Sequence, residues 1–289
     1  MYGGRIMKSV KILLLTGLVF ALGACKPVAE PTIYSKEKIP IAYSLEGSGD
    51  KAVVFVHGWS CDRSYWDLQV PYFAENYTVV AVDLPGHGES RYNREEWSME
   101  AFGEDVAAVV EGLDLRNVVL VGHSMGGSVI LTAAKNLGNR VVGLVGVDTF
   151  QDFESAIPEE DELDAFIQPF QDNFVEATRN FVRNMFYPTA DSLLVAQIAN
   201  DMSAAPLEVA LGSFKGLFAF NPIPVLEQIA VPIYGINSDM YPVNVEAGKR
   251  HTIAFEILFM EGCGHFLHKE DPETFNRMLE EILEEIFAD

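Results

Sequence analysis

The sequence predicts an α/β fold: a mostly parallel sheet covered by helices on both faces, with a helical segment inserted late in the chain. Three observations carry that expectation. Short runs rich in Val and Ile alternate with stretches of helical spacing. The first of these runs stop at glycine-rich turns. The alternation lapses once, between Thr149 and about Val225, into helical pattern alone. The runs are apolar at nearly every position, which suits strands buried on both faces of a parallel sheet. In such sheets functional groups gather at the carboxyl ends of the strands.

Taken in order, residues 1–24 hold Arg5, Lys8 and Lys11, no acid, and the apolar run Ile12–Leu22. That is the shape of a secretory signal, and the run is short for a membrane span. Leu22-Gly-Ala-Cys25 resembles the bacterial lipobox, which implies that Cys25 is lipidated and anchors the chain in the cell envelope. Lys26, in place of an acid, favours the outer membrane. Membrane contact is expected through that lipid only. Residues 25–39, with Pro27 and Pro31 and little periodicity, read as a tether.

The body is expected to be one large domain, residues 40–152 and 221–289, with residues 153–220 as a helical cap. It opens with a hairpin near Lys38–Ser44. Ala52–Val56 and Tyr77–Val82 are strands, and residues 64–76 between them have helical spacing. Ser98 caps an amphipathic helix whose apolar stripe runs through Phe102, Val106, Val109, Val110 and Leu113. A strand from Val118 leads into a helix reaching about Asn136. Val141–Val147, Val231–Ile236 and Phe255–Met260 are later strands, and a helix from Pro272 to Phe287 closes the chain. The cap holds helical stretches at 161–177, 178–185, 191–202 and 206–218. Its phenylalanines, Phe166, Phe170, Phe181 and Phe214 among them, serve mainly as the cap's own core and in part as walls of an apolar acyl pocket.

The most informative stretch is Gly122-His-Ser-Met-Gly126, where an apolar strand runs straight into a helix. A nucleophile on so tight a turn needs flanking residues without Cβ atoms, and the helix N-terminus behind it favours developing negative charge. Ser124 is therefore the candidate nucleophile. Serine needs a base, and the base an acid that fixes its tautomer. Of six histidines, His265 follows the last strand on the same sheet edge. His57 and His87 sit in glycine turns that suit bonding to loop backbone, the His123 side chain points away from Ser124, and His251 and His268 read as surface or loop residues. No pair has metal-ligand spacing, so no metal is expected, and chemistry by serine, base and acid needs no cofactor. Asp239, after the strand ending at Ile236, is the preferred acid and Asp148 its rival; the order Ser, Asp, His fits both. The amides of Trp59 and Met125 are placed to form an oxyanion hole.

Composition narrows the partners. With 42 acids against 20 Lys and Arg, the net charge is −22, which excludes nucleic acid and anionic polymers as partners. Three cysteines do not make a disulfide framework, and Cys61 and Cys263 read as separate thiols. A small ester-like molecule is the expected partner; the sequence leaves oligomeric state open.

His57-Gly-Trp59, Asp83-x-Pro-Gly-x-Gly-x-Ser90, Gly122-His-Ser-Met-Gly126, Asp239 and Gly264-His265, in that order, resemble the α/β-hydrolase superfamily with a helical cap after the sixth strand. The likeness runs from about Tyr43 to the end of the chain. It implies Ser124 as nucleophile, Asp239 as acid, His265 as base, and cleavage of carboxylic esters of small or medium size through an acyl-enzyme. Lactone, amide or carbon–carbon hydrolysis are alternatives on the same fold, and a non-catalytic ligand-binding lipoprotein is the alternative of another class. One departure stands: Ile236-Asn-Ser-Asp239 replaces the usual glycine-containing turn before the acid, which keeps Asp148 in contention.

Overall fold

The computed structural model describes residues 1, 32–90, 94 and 96–288. The expected leader and the lipidation site Cys25 lie outside these residues. All the secondary-structure elements belong to one compact unit, residues 31–289.

The chain opens with a small ribbon, β1 (Ile33–Tyr34) against β2 (Pro40–Ile41), antiparallel. This corrects two expectations. The hairpin spans 33–41 and not 38–44, and the latter part of the expected tether is folded. The reason is burial: Ile33 and Ile39 are 6% and 1% exposed. Such side chains stabilise by leaving water, which a free tether cannot offer.

Seven strands form the main sheet: β3 (Tyr43–Gly47), β4 (Ala52–Val56), β5 (Thr78–Val82), β6 (Val118–His123), β7 (Val141–Val147), β8 (Ile233–Ser238) and β9 (Phe255–Met260). Their spatial order is β3-β5-β4-β6-β7-β8-β9, and only edge strand β3 is antiparallel to its neighbour. Alternate residues of β4 enter opposite layers, Val54 and Val56 one, Val53 and Phe55 the other. A strand apolar at every position is thus explained by helices on both sides.

Residues 64–76 form less helix than their spacing predicts: a 3-10 turn at Arg63–Trp66, then the four-residue α1 (Val70–Phe73), with Pro71 inside it. The helix α2 (Met99–Gly112) begins where expected, the Ser98 side chain accepting from the Ala101 N–H at 3.2 Å. The helix α3 (Met125–Leu137) follows β6 without a loop.

Four helices fill the insertion: α4 (Glu160–Asp172), α5 (Phe174–Arg183), α6 (Ser192–Met202) and α7 (Leu207–Ala219). They follow β7, the point at which the strand pattern of the sequence lapses. The expected single helix 161–177 breaks at Asn173, whose side chain leaves α4 to cap α5 through the Glu176 N–H. After the short α8 (Ile223–Leu226), the chain returns to β8. It then forms α9 (Val245–His251), β9, α10 (Leu267–Glu270) and α11 (Pro272–Ala288). Among the described residues no helix is long and apolar enough to cross a membrane.

Candidate active site

Register places the site. His123, the last residue of β6, lies opposite Val147, the last of β7, so Ser124 and Asp148 step off adjacent strands together. The Ser124 N–H donates to Val147 O at 2.9 Å, and the Asp148 N–H to Ile236 O at 2.9 Å. Both residues then take positive φ, 53° and 44°, sparsely populated for side chains with a Cβ. The turn at Ser124 is possible because its flanks are glycine. A Cβ on Gly122 would stand 2.3 Å from Gly126 O, and one on Gly126 2.5 Å from Val56 O. Ser124 is half-buried at the start of α3, where the first amides have no acceptor within the helix.

The loop after β9 crosses β8 to reach Asp148. His265 Nδ1 donates to Asp148 Oδ2 at 2.5 Å, and the Ser238 N–H donates to Asp148 Oδ1 at 2.9 Å. The carboxylate is 1% exposed and the imidazole 13%. This corrects the preference for Asp239. That residue does reach the loop, but its Oδ1 accepts from the Gly262 N–H at 3.0 Å and from Tyr187 Oη at 2.9 Å, on an exposed edge. Asp148, the rival, is the acid that His265 faces.

Three groups hold the His265 loop, none of which sequence reasoning singled out for that work. Ser238 Oγ donates to Cys263 O at 2.6 Å, so Ser238 grips both the acid and the loop. Met185 O, from the cap, accepts the His265 N–H at 2.8 Å. His123 Nε2 donates to His265 O at 2.9 Å, with the two rings 4.7 Å apart. The His123 side chain faces the loop that carries the base.

His268 corrects another reading. It is fully buried, stacked on Trp66 at 4.5 Å and 4.7 Å from His123. The apolar pair Phe266-Leu267 before it was the available signal. Burial pushes both His123 and His268 well below the ordinary histidine range, with neighbouring positive charge adding to it.

His57 ties two loops together, as glycine-turn histidines do. Its Nδ1 donates to Gly58 O at 2.8 Å and its Nε2 accepts from the Leu84 N–H at 3.0 Å. Burial lowers it to about 4, and His87 beside it to about 3. Asp83 accepts from the Arg63 and Glu89 amides and pairs with the Arg63 guanidinium, shaping its loop.

Gly58 packs on the turn, a Cβ there standing 3.2 Å from Ser124 Cβ, so the peptide leading to Trp59 comes beside the serine. The Trp59 indole is buried against the cap. It stacks on Phe214 at 3.9 Å, and its Nε1 donates to Ala210 O at 2.8 Å. Phe166, Phe170, Phe181 and Phe218 interlock around the same pair, so the aromatic side of the cap is packed core. Open space lies elsewhere. A cavity of about 380 Å³ is lined by Ser128, one turn past Ser124, by Thr149, next to Asp148, and by Phe150, Phe153, Ile157 and Phe218.

Cys61 is buried in one layer and Cys263 packs on the other, both unbonded. Burial raises both thiols, Cys263 to about 11. Among the described residues no group of three His, Cys, Asp or Glu is placed to hold a metal.

Comparison with known proteins agrees with this architecture. Among solved structures, an esterase from Exiguobacterium antarcticum superposes with a TM-score of 0.78 at 22% identity, over 88% of this chain and 98% of that one. An enol-lactonase from Burkholderia xenovorans superposes at 0.75 and 17% identity, over 90% and all of its length. Among curated proteins, the pimeloyl-[acyl-carrier protein] methyl ester esterase of Sodalis glossinidius is 26% identical over 83% of this chain and 96% of its own. The Karrikin insensitive 2 receptor IA of Petunia hybrida is 27% identical over 68% and 76%. A family model matches residues 53–278, and on that match the chain belongs to the alpha/beta hydrolase family.

Proposed function

We propose that this hydrolase cleaves small or medium carboxylic esters through an acyl-enzyme on Ser124. The observation that carries the reading is the buried His265–Asp148 pair, 2.5 Å apart, at the strand edge that also presents Ser124 on a strained turn. A carboxylate at Nδ1 fixes the tautomer in which Nε2 is free to take a proton. His265 takes the Ser124 proton as Oγ attacks the ester carbonyl, then returns it to the departing alcohol. Water, deprotonated by the same imidazole, then adds to the acyl-enzyme and releases the acid. The Trp59 and Met125 amides stabilise the oxyanion, each donor being worth about a hundredfold or more in turnover. The cavity beside Ser128 and Thr149 receives one arm of the substrate, and its apolar walls favour a hydrocarbon arm.

A second reading, lactone hydrolysis, has the same chemistry with the alcohol tethered to the acid; the likeness to an enol-lactonase favours keeping it. The N-terminal reading stands as a further proposal, with Cys25 lipidated and the enzyme held at the cell envelope by that lipid. Metabolic labelling with an alkynyl fatty acid, lost in Cys25→Ala, tests it.

The functional test is hydrolysis of p-nitrophenyl acetate and butyrate, with Ser124→Ala in parallel and a lactone panel beside them. Turnover that falls about a thousandfold in the variant supports the reading. An inert wild type whose Ser124 still reacts with a fluorophosphonate rejects the ester class, and inertness to both rejects the nucleophile.

A further inference from the structure

A second cavity, of about 680 Å³, lies in the cap between α5 and α6, beside residues 184–190. Its charge is unlike that of the rest of the chain. Arg179 and Arg183 both line it and no acid does, although acids outnumber Lys and Arg by 42 to 20 overall. Residues 153–220 contain one other cation, Lys215.

The two arginines are not consumed by ion pairs. Arg183 Nη1 donates to Asn180 Oδ1 at 2.8 Å. Arg179 has no ion-pair partner among the described residues, and its Nε is buried without an acceptor. A guanidinium with no carboxylate beside it keeps its Nη donors available to an acceptor in the cavity. The lining also includes apolar side chains, Phe186, Val195, Ala196 and Ala199, beside the neutral polar Asn184, Ser192 and Asn200. Neither Ser124, His265 nor Asp148 lines this space, so it is separate from the site described above.

We propose that this cavity binds a small organic carboxylate. The guanidinium fork of Arg179, assisted by Arg183, takes the carboxylate, and the apolar side chains take the hydrocarbon body. The apolar part distinguishes such a ligand from inorganic phosphate, which offers those side chains nothing. The ligand rests on the segment whose Met185 O holds the His265 amide and whose Tyr187 Oη holds Asp239. The inference does not depend on the chemistry at Ser124.

The test is calorimetric titration of the full chain with hexanoate, with the uncharged hexanamide and with inorganic phosphate. Hexanoate is expected to bind in the millimolar range or tighter, and hexanamide and phosphate at least tenfold more weakly. Arg179→Gln is expected to weaken hexanoate at least tenfold, with Arg179→Lys intermediate. Should Arg179→Gln melt early, Arg183→Gln, at an exposed position, gives the same reading with a several-fold loss. Equal binding of hexanoate and hexanamide overturns the proposal, as does hexanoate binding unchanged by both glutamine variants or no binding at all. Phosphate binding as tight as hexanoate overturns the hydrocarbon half of it.

Discussion

At the scale of single residues, the sharpest consequence is the choice of acid. Asp148→Asn leaves the shape of the carboxylate but not its charge, and an amide can present its NH2 to Nδ1 and favour the wrong tautomer. Hydrolysis of p-nitrophenyl butyrate is expected to fall about a thousandfold or more. Asp239→Asn, which alters only the Gly262 and Tyr187 contacts, is expected to stay within about fivefold, since an exposed hydrogen bond contributes about 1 kcal/mol or less. A larger loss in Asp239→Asn than in Asp148→Asn would mean that Asp239 and not Asp148 supports the base. Sequence order did not separate the two, because both carboxylates follow Ser124 and precede His265, and each ends a strand. What separates them is the reach of the Gly262–Phe266 loop across β8. That reach depends on Ser238 holding Cys263 O, a contact between residues 25 positions apart that no local pattern records.

At the scale of elements, the cap is seated by close approach. Gly216 of α7 lies where a Cβ would come 1.9 Å from Trp97 O, and Gly212, one turn earlier, where it would come 2.2 Å from the Trp97 ring. Gly216→Ala must therefore lift α7, and with it Ala210 and Phe214, off Trp59. The expected cost is about 2 kcal/mol or more in urea unfolding, with a fall in turnover of about tenfold. A fully active, fully stable variant would show that α7 does not brace the Trp59 loop. Gly264 meets the cap in the same manner, a Cβ there standing 2.5 Å from Met185 O. Gly264→Ala is expected to lower kcat more than it raises KM, measured on the same ester, because it displaces the base and not the substrate walls.

Elements were the most legible level. The strands after β3 and the helices α2, α3 and α11 stand close to where spacing puts them, because most of the strands are apolar nearly throughout and the helices striped. Legibility failed where the signal was shared or local. Pro71 and Asn173 interrupt stretches whose spacing alone reads as continuous helix. The ribbon at 33–41 is too short for a period, and His268 looks like any polar residue until Trp66 covers it. Ser124, the Trp59 loop and His265 could be read from motifs because tight turns demand particular residues. Tertiary braces such as Ser238 and Met185 use backbone atoms or an ordinary hydroxyl, which leave no such mark.

At the scale of the whole molecule, four buried histidines set its response to acid. His57 is lowered to about 4 and His87 to about 3, with His123 and His268 also well below the ordinary range, all chiefly by burial. Between those values and the unfolded value near 6.5, the unfolded chain binds more protons than the folded one. Their contribution to stability is complete above about pH 6.5 and is lost as pH falls, His57 alone accounting for about 3 kcal/mol by pH 4. The urea midpoint is expected to drop steeply between about pH 6.5 and 4.5, and His87→Asn to make the drop shallower. A midpoint independent of pH over that range would show that these rings are not held neutral.

The burial of Trp59 against the cap has one more consequence, an optical one. The chain has three tryptophans: Trp66 stacks on His268 deep under the sheet, whereas Trp59 and Trp97 form the seat on which α7 rests. Any outward swing of α7 must wet the two indoles at the seat and leave the third dry. Emission at longer wavelength, with the Trp66 component unchanged, would then time the opening of the roof in the unlabelled protein.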